Sequence, residues 1–364
     1  MTVRVPFLDL SSPHAEIRAE LDAAAARVIA RSCFVLGPEV EAFEQDYAAW
    51  TGARACVGVG SGLEALRLAL AAAGVGTGDE VIVPAHTFIA TWLAVSGVGA
   101  TPVAVDVDPA TANVTAEAVS AAVTSRTRAV VPVHLYGQPA DCDALEAVAA
   151  RHGLFLLFDA AQAHGARWRR RPLGARGGAC AWSFYPGKNL GALGDGGAIT
   201  TDDLALAERL RRLRNYGQAE RYHHVEQGVN SRLDELQAAF LRVKLSHVDA
   251  WNGRRRALAA RYLSGLPAHA APVAQAEGAE SSWHLFVVRS GRREALRTAL
   301  AERGIQTLVH YPVPPHLQPA YAGLFAAGAF PVAERLAAEV VSLPMGPHLG
   351  ERDVDLVIEG LAQS

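Results

Sequence analysis

The chain has 364 residues, half of them hydrophobic and a fifth charged, with a formal net charge of -3. This length supports a large buried core and two domains, while the near-neutral balance gives no footing to nucleic-acid or membrane-surface binding. The N-terminal stretch, with Arg4 and Asp9, lacks the apolar run of a signal peptide, and Cys33, Cys56, Cys142 and Cys180 form no CxxC pair, so reduced thiols in a cytoplasmic protein are expected, with no metal site.

Short apolar runs alternate with helical patterns from about Glu16 to Leu245. Strands are predicted at Ala55–Val59, Glu80–Val83, Thr101–Val105, Ala129–Val133, Leu154–Asp159, Ala179–Phe184 and Gly197–Thr200, and helices at Leu63–Ala73, Ala140–Arg151 and Leu204–Leu213. The stretch Val81–Val105 has no charged residue, but Pro84, His86, Gly97, Gly99 and Pro102 break it. It therefore reads as strand, loop, helix and strand rather than a membrane span. Beyond His247 the pattern changes: a helix through Arg254–Tyr262, a strand at Ser282–Arg289, and helices at Arg293–Arg303 and Pro331–Ala338 are predicted. The expected architecture is α/β, with a mixed, mostly parallel seven-stranded sheet between helices in a large domain over 15–246. A smaller α+β domain over 247–364 is expected to be joined by residues 1–14.

Three segments carry chemistry. In Gly58–Leu66, GVGSGLEAL, a Gly-Ser-Gly turn opens a helix after a strand, presenting free N–H groups and the positive end of the helix dipole to an anion such as a phosphate. A dinucleotide fingerprint counted from Gly58 needs glycine where Leu63 stands, so a nicotinamide dehydrogenase is the least supported reading. In Phe155–Ala166, FLLFDAAQAHGA, Asp159 ends an apolar strand, where a carboxylate can hold a pyridinium nitrogen protonated. Gln162 can reach a ring hydroxyl, and His164 is read as structural. In Phe184–Thr200, FYPGKNLGALGDGGAIT, Lys188 follows a strand and precedes a Gly-rich loop. A lysine desolvated there gains a lowered pKa and forms Schiff bases with carbonyls. The basic runs Arg167–Arg176 and Arg209–Arg214 are read as solvated faces pairing with acids.

These segments in this order resemble the DegT/DnrJ/EryC1/StrS family of sugar aminotransferases, a branch of the fold-type-I pyridoxal-phosphate enzymes. The likeness runs from Pro6–Leu10 through Asp79–Thr91, Val133–Gly137 and Gly228–Leu241 to Ser342–His348. It implies pyridoxal 5'-phosphate as cofactor, cycling through pyridoxamine phosphate, with Lys188 as Schiff-base lysine and proton shuttle. It also implies that Asp159 pairs with the ring nitrogen, Gln162 contacts the ring hydroxyl, and Phe88 of HTFIAT stacks on the ring. Ser183, Gly62 and the backbone of Leu63 would bind the phosphate. Asn230 would reach that phosphate from the neighbouring subunit of a homodimer with shared active sites. Many relatives have threonine at the Leu63 position and an acid at the Phe158 position. Phe158 should point away from the cofactor.

By the same resemblance, L-glutamate is the donor and the acceptor is a dTDP-linked 3-keto-6-deoxyhexose, aminated at carbon 3 in deoxyamino-sugar or antibiotic biosynthesis. Tyr185, where carbon-4 enzymes more often carry histidine, and Tyr216, His310 and Tyr311 are candidate substrate contacts. A carbon-4 aminotransferase is the alternative within the family. Lys188 argues against the family's dehydratase branch, which has histidine there, and the intact set Lys188, Asp159, Gln162 and Ser183 argues against a non-catalytic cofactor-binding regulator.

Overall fold

The computed structural model describes residues 3–364. Its centre is a seven-stranded sheet of β1 (Ala55–Val59), β2 (Glu80–Pro84), β3 (Thr101–Val105), β4 (Thr127–Val130), β5 (Phe155–Asp159), β6 (Ala179–Ser183) and β7 (Gly197–Thr201), in the order β1-β7-β6-β5-β4-β2-β3. All neighbours are parallel except those of β7, which runs antiparallel to both β1 and β6. The inner strands are buried along most of their length, EVIVP of β2 throughout and ACAWS of β6 up to Trp182, while Arg128 of β4 is exposed. Their sequences are therefore continuous apolar runs instead of the alternation of a one-faced sheet.

Thirteen α-helices accompany the strands among the described residues. Ahead of β1 lie α1 (Ser11–Glu16), α2 (Arg18–Arg31) and α3 (Pro38–Thr51). Then follow α4 (Gly62–Ala72), α5 (Ala90–Gly97), α6 (Ala116–Ala121), α7 (Cys142–His152), α8 (Leu204–Leu213) and α9 (Glu235–Leu245). The charge-free stretch divides into β2, α5 and β3, and no helix among the described residues is long and apolar enough to cross a membrane. The start of α3 has no side-chain cap of its own. The buried Glu235 carboxylate of α9 accepts instead from the N–H groups of Gly37, Glu39 and Val40 at 2.8–3.0 Å, which satisfies orphan donors and places a negative charge at the positive helix end.

The remainder packs round a second core that includes Val5, Tyr262, Phe286, Val341 and Val357. It contains α10 (Val248–Gly265), α11 (Arg293–Glu302), α13 (Glu351–Ala362) and an antiparallel sheet of β8 (Ala271–Pro272), β9 (Phe286–Arg289) and β10 (Val340–Leu343), whereas α12 (Pro331–Glu339) packs through Ala333 and Leu336 into the cores beside the central sheet. Val5 bridges to Ile305, which ties the N-terminal segment to this part.

Two predicted strands are shorter than expected, for identifiable reasons. The fourth ends at Val130 instead of Val133 because Pro132 has no N–H for a ladder; its carbonyl still accepts from Asp159 N at 2.9 Å. The strand expected from Ser282 starts at Phe286, because Trp283 has φ of 48° and the backbone at Ser282 is used elsewhere, donating to Gly137 O and accepting from Asn189. The helix predicted through Arg254–Tyr262 is longer, running from Val248 to Gly265. The basic runs pair with acids: Arg176 with Asp143 and Glu146, Arg209 and Arg212 with Glu226, and Arg214 with Glu44.

Burial holds several histidines neutral. The imidazole of His86 is pushed down to about 4, those of His134 and His164 to about 3, and that of His284 well below its ordinary value. A folded-state pKa below the unfolded one stabilises fully above the unfolded value and less as pH falls through it toward the folded one. Thermal stability should therefore hold above pH 6.5 and fall steadily below it, by about 1.4 kcal/mol per pH unit for each such histidine. Unfolding midpoints measured from pH 8 to pH 4 check this; a flat profile would show these rings to be solvated.

Candidate active site

Asp159 closes β5 and is buried. Its backbone is locked to the neighbouring segment, with N donating to Pro132 O at 2.9 Å and O accepting from His134 N at 3.0 Å. Strand alternation turns Phe158 to the opposite face, where its ring stacks on His134 at 4.7 Å, so the departure at that position is away from Asp159. The carboxylate accepts from Thr91 Oγ1 at 2.9 Å and from Ala161 N at 3.1 Å. Burial raises its pKa, and those two hydrogen bonds and the charge of Lys188 oppose the rise.

Lys188 lies in the loop after β6, the strand parallel to β5. Lys188 N donates to Tyr185 O at 2.8 Å, and α9 pins the loop from outside: Lys244 Nζ donates to Gly191 O at 2.7 Å, and Gln237 accepts from Leu193 N at 2.7 Å. Asn189, next in sequence, donates to Asn252 and to Ser282 O, both at 2.9 Å, and meets His284 Nδ1 at 3.1 Å. Desolvation lowers the Lys188 amine to about 8 against the opposing pull of Asp159. The Lys188 charge also acts on His164, His284 and His310, and burial keeps all three rings neutral near pH 7, with His310 at about 4. With those rings neutral, Lys188 and Asp159 act on each other through charge, the carboxylate raising the pKa of the amine and the amine lowering that of the carboxylate.

The start of α4 supplies the third element. Ser61 Oγ accepts from Glu64 N at 3.2 Å, which leaves the earlier N–H groups of Gly62 and Leu63 for an outside acceptor. Gly62 is required by packing, since a Cβ there would lie 2.5 Å from Ser183 Cβ. The same closeness brings Ser183 beside the helix N-terminus, and its hydroxyl accepts from Tyr185 N at 3.3 Å.

Gln162 is buried, and its orientation is set: Oε1 accepts from Tyr136 N at 2.6 Å and Nε2 donates to Tyr311 OH at 2.9 Å. Phe88 is half exposed and packs on Tyr311 with centroids 5.4 Å apart. His310 bonds Ser342 Oγ through Nδ1 at 2.7 Å. Lys188, Asp159, Gln162, Ser183, Gly62, Leu63, Phe88, Tyr185, His310 and Tyr311 thus belong to one connected region. Two expected residues have no side-chain hydrogen bond to this region among the described residues. Tyr216 packs under the Arg232 guanidinium, 5.6 Å from its ring centroid, and Asn230 is exposed with no side-chain hydrogen bond among the described residues. His164 is buried among Tyr47, Trp182 and Phe184, but neither ring nitrogen has a hydrogen-bond partner among the described residues, so the satisfied structural histidine expected there is not what is found.

Sequence reasoning missed Thr91, Asn189, His86 and Tyr136. Thr91 carried a signal, since it is three residues past Phe88 in the same HTFIAT segment and so one turn along the helix start.

A strand-end carboxylate, a desolvated lysine coupled to it and a helix N-terminus, all at strand ends of a mostly parallel sheet, are the elements of a transaminase-type site. The chain belongs to the DegT/DnrJ/EryC1/StrS aminotransferase family, whose sequence pattern matches residues 15–362. It is 56% identical to the dTDP-3-amino-3,4,6-trideoxy-alpha-D-glucose transaminase of Streptomyces venezuelae, over 100% of this chain and 96% of the relative. It is also 56% identical to the erythromycin biosynthesis sensory transduction protein EryC1 of Saccharopolyspora erythraea, over 98% of each. The crystal structure of S. venezuelae DesV in complex with a ketimine intermediate superposes with a TM-score of 0.98 at 55% identity, covering 100% of this chain and 98% of that one.

Proposed function

We propose that this aminotransferase uses pyridoxal 5'-phosphate to move an amino group from L-glutamate to carbon 3 of a dTDP-linked 3-keto-6-deoxyhexose. The observation that carries the cofactor chemistry is the charge coupling of the Lys188 amine, lowered to about 8, to the buried Asp159 carboxylate, which Thr91 and Ala161 hold and which has no direct ion pair among the described residues. A buried carboxylate without a fixed counter-charge is costly, and a protonated ring nitrogen compensates it. The cofactor supplies an aldehyde for binding amines and a pyridinium ring as electron sink.

In this reading Lys188 binds the aldehyde and, once released by the donor, takes and returns the proton of the reacting carbon. Asp159, held by Thr91 and Ala161, keeps the ring nitrogen protonated. Gln162 offers its NH2 to the ring hydroxyl, because its carbonyl is occupied by Tyr136 N. Phe88 covers the ring face. Gly62 and Leu63 N–H and Ser183 Oγ receive the phosphate, and the absent threonine at Leu63 leaves that task to the backbone. Tyr185, His310 and Tyr311 line the sugar side. His310 presents Nε2 there, since Nδ1 is engaged by Ser342. Carbon 3 is supported by the likeness to a 3-amino-sugar transaminase.

The large unit 15–246 would hold the cofactor, with 247–364 and 1–14 closing over the substrate, in a homodimer where Asn230 serves the partner's phosphate. The exposed Asn230, Phe34 and Val35 support that arrangement. Unpaired cysteines fit the cytoplasm as compartment.

Incubating the holoenzyme with glutamate and a panel of dTDP-keto sugars should yield the carbon-3 amino sugar, identified by NMR. Amination at carbon 4, or no change in the cofactor absorbance with glutamate, would overturn the reading. For the dimer, mixing Lys188→Ala and Asn230→Ala protomers should restore about a quarter of wild-type activity by random pairing. Activity that never exceeds the sum of the two single variants would place Asn230 outside the partner's site.

A further inference from the structure

Tyr136 ties together two parts of the site through separate groups. It is buried, with φ of 62°, in the short turn Leu135–Gly137. Its N–H donates to Gln162 Oε1 at 2.6 Å. Its hydroxyl donates to His310 O at 2.6 Å and lies 2.8 Å from His86 Nε2. A phenol has one proton, and a carbonyl can only accept, so the imidazole must be the donor to the phenol oxygen. His86 is thereby fixed as the neutral Nε2–H tautomer, in keeping with its buried ring. The turn is itself clamped: a Cβ at Gly137 would stand 2.6 Å from Ser282 Oγ and 3.1 Å from Gln162 O. Neither the His86 ring nor the Tyr136 hydroxyl has a part in the cofactor chemistry described above.

We propose that Tyr136 is a positioning residue for the keto-sugar half of the reaction, its hydroxyl, oriented by His86, setting the backbone at His310 and hence the His310 and Tyr311 side chains that face the sugar. The inference rests on the proposed function. It separates two duties that share one residue. The main-chain arm steadies Gln162 and is indifferent to the side chain, whereas the hydroxyl arm crosses 174 residues of sequence to the small-domain segment.

Tyr136→Phe removes the hydroxyl arm and spares the main-chain arm. In the holoenzyme, the cofactor absorbance and the single-turnover rate with glutamate should stay within about twofold, while KM for the dTDP-3-keto sugar rises about tenfold, the factor a single hydrogen bond sustains. His86→Leu should raise the same KM, and His86→Gln, which keeps a donor, should bring it back toward wild type. An equal fall in both half-reactions, or a KM unchanged in Tyr136→Phe and His86→Leu, overturns the role of Tyr136. Should Tyr136→Phe fail to fold, the His86 pair decides alone. Wild-type protein inert toward glutamate would instead overturn the proposed function.

Discussion

Lys188→Ala is expected to lower turnover by about 10³–10⁴-fold or more, the range removed with a positioned acid–base group, and to abolish the absorbance of covalently held cofactor. The structure explains why no neighbour can substitute. The other nitrogen bases acting on Lys188 are imidazoles held neutral by burial, and their basicity is too low to take a carbon-bound proton near pH 7. The Lys188 amine at about 8 is unprotonated in about a tenth of molecules at that pH. Capture of cofactor by wild-type apoprotein should therefore accelerate about tenfold per pH unit up to about 8 and level off above it. Folding should not suffer in the variant, since it removes a desolvated amine that makes no ion pair among the described residues. Stopped-flow spectra with glutamate measure the chemical loss, and thermal melts measure the stability. A Lys188→Ala protein that turned over normally would remove Lys188 from the chemistry altogether.

Both residues of that central pair were legible from sequence because each sits where a local pattern ends. Asp159 follows four apolar residues of a buried strand, and Lys188 follows a strand and precedes glycines. Such strand ends in a parallel sheet converge on one edge, so the phosphate turn at Gly62 could be placed with them before any coordinates existed. What stayed hidden was the layer behind. Thr91 meets Asp159 across 68 residues and Tyr136 meets His310 across 174. Periodicity reports which face of an element is buried, not which distant element covers it. The same limit shortened two predicted strands: Pro132 and Trp283 interrupt segments whose composition still reads as extended. Tyr216 and Asn230 were named by likeness alone, and neither side chain hydrogen-bonds to the residues round Lys188 among those described.

Asp159→Asn should separate chemistry from stability more sharply than any other substitution. The amide has nearly the volume of the carboxylate, and it can keep the Ala161 N–H on its oxygen while turning its NH2 toward Thr91, whose hydroxyl is able to accept as well as donate. Only the charge is lost. A buried carboxylate without a direct counter-charge opposes folding, so the melting temperature should stay level or rise. The charge is what would hold a ring nitrogen protonated, so turnover should fall by about 10²–10⁴-fold, although the phosphate and ring contacts still retain the cofactor. A second readout follows from the sign of the coupling. Asp159 raises the pKa of Lys188 against the lowering by burial, so its removal should carry the Lys188 amine below about 8 and shift the pH midpoint of cofactor capture downward. A purely structural Asp159 predicts the reverse set: lower melting temperature, near-normal turnover and an unmoved midpoint. Measuring all three on one preparation therefore tells whether the carboxylate at the end of β5 serves the fold or the reaction.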